Sequence, residues 1–296
     1  RGESNAASMA SDVIENYNTL DDEQKAQYFH YLAEKFNPSP ADVLSAAELY
    51  SQEPTADNFV WLMKVFESPR QELLRRLNRA PGGTHTIINM RHQVLKLLPK
   101  KPELKAVDAD MQHLLNSWFN PGFLKMHQVD WKSPAHILEK IIQHEAVHEI
   151  DGWDDLRRRL QPDRRCFSFF HPQLPDEPLI FVEVALLPDI PESIAPLVDK
   201  KSPALESNQY KCAIFYSISN CQPGLRGVSM GNFLIKRVAE SLKKEFPALK
   251  TFCTLSPIPG LMEWLSSHAD LPLDHLKPAA LEKYQEAIKV FNLKYL

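Results

Sequence analysis

The residues of this chain best suited to chemistry are the run Arg226, Gly227, Val228, Ser229, Met230, Gly231 and Asn232, and a serine further on, Ser256. The run reads as a glycine-containing turn that opens an amphipathic helix, on which Leu234, Val238 and Leu242 share one face. A turn running into a helix start presents backbone N–H groups and the positive end of the helix dipole, which together can hold a phosphate. Gly227 and Gly231 let the backbone approach a ligand closely, and Arg226, Lys236 and Arg237 add positive charge. Ser256 follows a strand-like segment, residues 251–255, and precedes Pro257 and Pro259, so its hydroxyl is a donor held at a strand end. A phosphate grip combined with a positioned hydroxyl suggests a phosphorylated carrier and chemistry on an acyl group that it bears. Each feature also has a plainer reading: glycines that only permit tight packing, and a turn serine before a proline.

Three further clusters attract attention. His144, Glu145, Ala146, Val147 and His148 match H-E-x-x-H, in which two histidines on one helix face hold zinc and the glutamate acts as general base. The extended motif would need a glycine and then a histidine where this chain has Asp151 and Asp154. Asp151–Gly152 is also a turn signal that ends the helix, so the expectation is a polar helix end with no metal. Arg157, Arg158 and Arg159 with Arg164 and Arg165 form the densest basic cluster. It reads either as a solvated face or, if it lies near the glycine turn, as a second contact to carrier phosphates. The four cysteines, Cys166, Cys212, Cys221 and Cys253, make no C-x-x-C pair and are expected as buried, reduced thiols.

The elements that must position these residues differ between the two parts of the chain. Residues 1–120 read as helix after helix: Ser39–Pro40 is an N-cap with proline in the first turn, and Pro81–Gly82–Gly83 is a break. Phe59, Leu62, Met63 and Phe66 recur at helical spacing, as do Val94, Leu95, Leu97 and Leu98. Nothing there has catalytic spacing, so packing or assembly is the default role. Beyond it, Ser133–Pro134 is expected to cap a helix and residues 153–160 to form a short basic one. Strands are expected at 166–170, 179–187, 212–219 and 251–255, with helix again from 261 onward. The predicted fold class is α+β and helix-rich, an all-helical N-terminal domain (1–120) followed by an α/β domain with a central mixed sheet (121–296).

With 296 residues, one large or two moderate domains are expected. A net charge of −4 argues against nucleic acid as a general partner, and no apolar run is long enough to span a membrane.

Several segments together resemble the malonyl-CoA decarboxylase family: residues 213–219 (AIFYSIS), 231–238 (GNFLIKRV), 255–260 (LSPIPG), 145–148 (EAVH) and 164–166 (RRC). The resemblance is dense from about 115 to 265. It implies a helical domain that mediates homo-oligomerisation, joined to a catalytic domain like that of the GNAT N-acyltransferases. It also implies conversion of malonyl-CoA to acetyl-CoA and carbon dioxide, with no cofactor. The CoA-binding segment of the family corresponds to Arg226, Gly227, Val228, Ser229, Met230, Gly231 and Asn232, and its active-site serine, a proton acceptor that contacts the malonyl group, to Ser256. The family's proton-donating histidine lies in a late motif with no counterpart here, because His268 and His275 stand in segments that do not match. The chain is therefore expected to be truncated at its C-terminus, to bind CoA esters and to decarboxylate poorly as it stands. Two other functions stay open: a GNAT-type acyl-CoA acyltransferase, and a non-catalytic CoA-binding or assembly protein. The expected compartment is the cytoplasm, or the mitochondrial matrix in a eukaryote.

Overall fold

The structure, a computed structural model, describes residues 2–228, 230–258, 260–267 and 277–295. The helices come first, as α1 (Gly2–Thr19), α2 (Asp22–Lys35), α3 (Pro40–Gln52), α4 (Ala56–Phe66), α5 (Pro69–Asn78), α6 (Gly83–Leu97) and α7 (Lys105–Trp118). Local chemistry sets several of their starts. Asp21 and Gln24 close a capping box on α2, with Asp21 Oδ1 accepting from Gln24 N–H at 2.8 Å and Gln24 Oε1 from Asp21 N–H at 3.0 Å. Ser39 caps α3 with Pro40 in the first turn, as expected, and Gly82 at φ +72° supplies the break before α6.

Next come β1 (Lys125–Val129), α8 (Ala135–His144), α9 (Gly152–Arg159), β2 (Arg164–Phe170), β3 (Ile180–Leu187), α10 (Ala195–Val198), β4 (Cys212–Asn220), α11 (Gly231–Glu245) and β5 (Thr251–Thr254). The sheet order is β1-β2-β3-β4-β5, antiparallel except for the parallel pair β4–β5. A parallel pair needs a crossover, and α11 is that crossover. The mixed sheet after a helical segment agrees with the expected fold class.

Residues 1–255 form one compact unit and 256–296 a second, with α12 (Leu261–Ser267) and α13 (Pro278–Tyr295). In the first unit one core joins helices to sheet: Phe29, Leu32, Leu74, Ile88, Val94, Met111 and Leu115 pack with Phe167, Phe169, Val182, Val184 and Phe215, and with Leu234, Val238 and Leu242 of α11. The opposite sheet face is covered by Ile137, Leu138 and Ile141 of α8, Leu156 of α9 and Leu197 of α10. Coverage of both faces explains why β3 is apolar almost throughout rather than alternating.

Three local expectations are corrected. The strand β1 was not foreseen, because its five residues, KMHQV, carry no alternating apolar pattern; pairing with β2 at the sheet edge makes it a strand. Ser133 does not cap α8: its hydroxyl accepts from the Asp130 N–H at 3.1 Å, and Pro134 precedes the helix without a side-chain cap. That helix ends at His144, well before Asp151–Gly152.

Candidate functional site

The glycine turn is built against the helical layer. After Asn220, whose Oδ1 accepts from the Gln222 N–H at 2.9 Å, residues Pro223–Leu225 make a single 3-10 turn. Gly224 lies so close to the Ile88 backbone that a Cβ would overlap the Ile88 carbonyl. Its own carbonyl accepts from Arg91 Nη1 at 2.8 Å, and Arg91 Nε pairs with Asp108 Oδ1 at 2.8 Å. Gly227 has φ +81°, and its carbonyl accepts from Gln112 Nε2 at 3.0 Å. Arg226 is exposed, whereas Leu225, Val228 and Met230 are buried in the large core.

At Gly231 the 15-residue α11 begins with no side-chain cap and no acidic residue in its first turn. The first N–H groups of a helix have no intrahelical partner, and no acidic side chain of the first turn offsets the positive end of this helix dipole. Asn232 follows in that first turn, and Ser229 lies outside the described residues. Lys236 is exposed, but Arg237 is engaged elsewhere: its Nη1 donates to the Leu124 carbonyl at 2.7 Å and its guanidinium lies 5.8 Å from the Phe169 and Phe233 ring centroids. Pairing of β5 with β4 covers only 212–215, so 216–220 of β4 run on past their parallel neighbour toward the turn. The structure thus gathers the turn residues on one loop and helix start. Ser256 is exposed and opens the second compact unit, ahead of α12, with Gly260 at φ +75°. His268 and His275 lie outside the described residues.

The metal-like motif is not a helical pair of histidines. Glu145 lies beyond the helix end, and its carboxylate accepts from the Val147 and His148 N–H groups at 2.8 and 2.7 Å, from Ser217 Oγ at 2.7 Å and from Ser219 Oγ at 3.2 Å. A bulge in β4 makes this possible. The register shifts between Glu183 and Val184, which places Tyr216 and Ser217 on the same sheet face in succession. Glu183 faces this polar patch with Oε2 on Arg159 Nη1 at 3.0 Å. Burial pushes its carboxyl up to about 7, against the pull of Arg159. Burial also lowers His148, which keeps the imidazole neutral near pH 7.

Three of the five arginines in the cluster follow neither expected reading. Arg158, Arg159 and Arg164 are buried. Arg158 forks onto Asp163 at 2.8 and 2.9 Å, Arg164 shares Asp163 at 2.8 Å, and Arg159 joins Asp155 to Glu183. These guanidiniums brace α9 against the sheet and the loop near Ser202, so they are not free for phosphates. Of the remaining two, Arg165 pairs with Glu245 and Arg157 with Asp154. The thiols of Cys166 and Cys221 are buried, and burial raises both, Cys221 to about 12, which makes them poor nucleophiles.

Sequence reasoning missed Arg91, Asp108, Gln112 and Glu183, and saw Glu145 only within its motif and not as a partner of Ser217 and Ser219, because no local pattern signals long-range contacts. A helical layer carrying a mixed sheet, with an uncapped helix start after a tied turn, defines a helix-rich α+β protein. Comparison with known proteins is specific. The family model for the malonyl-CoA decarboxylase C-terminal domain matches residues 122–291, and that for the N-terminal domain matches 36–119. The crystal structure of malonyl-CoA decarboxylase from Rhodopseudomonas palustris is 47% identical, with a TM-score of 0.85 over 98% of this chain and 71% of that one. The enzyme from Agrobacterium vitis gives 46% and 0.86, over 94% of this chain and 68% of that one. Mouse mitochondrial malonyl-CoA decarboxylase is 36% identical over 88% of this chain and 56% of its own length. This chain belongs to the malonyl-CoA decarboxylase family. It spans about half the length of the curated relatives it matches, between 46% and 56%.

Proposed function

We propose that the protein decarboxylates malonyl-CoA to acetyl-CoA and carbon dioxide. The observation that carries this reading is the match of both family domains to one chain; the turn supplies its physical account. The N–H groups of the α11 start and the Arg226 side chain take the CoA phosphates, in the segment 226–232. Breaking the bond between the carboxylate and the α-carbon leaves an electron pair that the thioester carbonyl receives as an enolate. Protonation of the α-carbon then gives acetyl-CoA. Because the thioester is the electron sink, the reaction calls for no metal or prosthetic group. Ser256 is assigned to the malonyl group, where a hydroxyl can orient the carboxylate and donate to the developing oxyanion. A neutral serine is a weak base, so its role as proton acceptor needs an activating partner.

In this reading residues 1–120 serve assembly and 121–296 belong to the catalytic part. Support for assembly comes from α4, which has no buried residue and exposes Phe59, Val60, Trp61, Met63 and Phe66, an apolar surface suited to a second copy of the chain. No described helix is long and apolar enough to cross a membrane, and the mouse and rat relatives are named as mitochondrial. Of the two expected compartments, the mitochondrial matrix is the one that the names of these relatives favour.

The test is to incubate the whole protein with malonyl-CoA and quantify acetyl-CoA, carbon dioxide and free CoA, with and without an amine acceptor. Stoichiometric acetyl-CoA and carbon dioxide are expected, with kcat for Ser256→Ala reduced on the order of a hundredfold or more. Acetyl transfer to the amine without carbon dioxide would point to an acyltransferase. CoA binding with no turnover and a silent Ser256→Ala would point to a binding or assembly role.

A further inference from the structure

We infer that Gln112 and Arg91, on helices of the N-terminal layer, are positioning residues for the CoA-binding turn and set the affinity for CoA without touching it. The inference rests on the reading of residues 226–232 as the CoA site. Two carbonyls of the turn are drawn toward the helical layer, Gly224 by Arg91 at 2.8 Å and Gly227 by Gln112 at 3.0 Å. These residues lie 133 and 115 positions away in sequence from their partners, so the ties are tertiary and not part of the turn's own folding. Between them Gly224 rests on the Ile88 backbone, where no side chain would fit.

The electrostatic consequence is direct. A carbonyl oxygen is the negative end of a peptide dipole, and one facing a phosphate repels it. With both oxygens engaged by the helical layer, neither is free to face a phosphate, and the exposed Arg226 lies between them in the turn. Gly227 is the sensitive point: at φ +81° only glycine is at ease, and its freedom would let the peptide rotate if nothing held the carbonyl. Gln112 is half-buried and its side chain stands 2.8 Å from where a Gly227 Cβ would be, so it also walls the loop. Arg91 is buried and has its charge answered by Asp108, which makes it a fixed donor and not a free cation for the ligand.

The experiment uses the whole protein and CoA as the probe. Gln112→Met keeps the length of the side chain and removes the donor. The expected result is a CoA Kd and a malonyl-CoA KM each raised roughly tenfold, with kcat within about twofold of wild type, as misplacement of a binding group predicts. Without ligand, amide hydrogen exchange across 224–228 should quicken in the variant while exchange in β2 and β3 is unchanged. Arg226→Ala is the control for the CoA site itself. Weakened CoA binding by Arg226→Ala with unchanged binding and exchange in Gln112→Met overturns the positioning role alone. If Arg226→Ala is silent, or wild type does not bind CoA, the site reading falls and the inference with it. Because Arg91→Met strands Asp108 and can unfold the layer, Arg91→Lys is the companion variant, expected to shift KM in the same direction as Gln112→Met.

Discussion

Gly224 shows how much can depend on one missing methyl group. A Cβ there would overlap the Ile88 carbonyl and crowd its side chain, so Gly224→Ala must push the turn off α6. The expected cost is about 1–3 kcal/mol, read by chemical denaturation, together with weaker CoA binding. Stability equal to wild type would mean that the turn does not rest on α6. Glu183 makes a second residue-scale prediction. Burial raises its carboxyl from 4.5 to about 7, so between those values the folded protein holds a proton that the unfolded chain has released. Its contribution to stability is therefore fully present below about pH 4.5, falls as pH rises to about 7 and then levels off. Compared with Glu183→Gln, wild type should lose stability across this window, at no more than roughly 1.4 kcal/mol per pH unit. Parallel stability curves for the two proteins would contradict this assignment.

At the scale of elements, β4 and α11 do most of the positioning. The β4 bulge turns Ser217 and Ser219 toward Glu145, which ties the segment after α8 to the sheet. Beyond the bulge β4 leaves its parallel neighbour and feeds the turn, and α11 then starts without a cap. An uncapped helix start would ordinarily be a fault worth about 1 kcal/mol. Here, in the proposed function, the ligand's phosphates are the missing cap, so CoA should raise the thermal midpoint in proportion to RT ln(1 + [L]/Kd). A midpoint that stays unchanged at CoA concentrations far above the measured Kd would contradict that view of α11.

Over the whole molecule, the helical layer has two faces with different characters. Its inner face shares one core with the sheet and holds the turn before α11, whereas α4 offers an apolar surface outward. Self-association through α4 predicts that Trp61→Glu with Phe66→Glu shifts the sedimentation of the protein from oligomer to monomer. Because neither side chain is buried within the chain, the monomer's own stability should change by less than about 0.5 kcal/mol per substitution. An unchanged sedimentation profile would place the assembly surface elsewhere.

The sequence by itself determined what neighbours a few residues apart decide. Helical spacing, the Ser39–Pro40 cap, the strands β2 to β5 and the turn-to-helix start at Gly231 were all readable, because propensity, capping and period act locally. The family motifs were readable for the same reason. What folds over a residue was not. The arginine run looked like a free basic surface until Asp155, Asp163 and Glu183 closed over it, and H-E-x-x-H looked helical until Ser217 and Ser219 claimed its glutamate. The turn and the helix start at Gly231 were legible, but not the side chains that hold the loop in front of them. Gln112 and Arg91 reach that loop only because the helical layer and the sheet bury one common core, and a contact of that kind leaves no periodic trace in the chain.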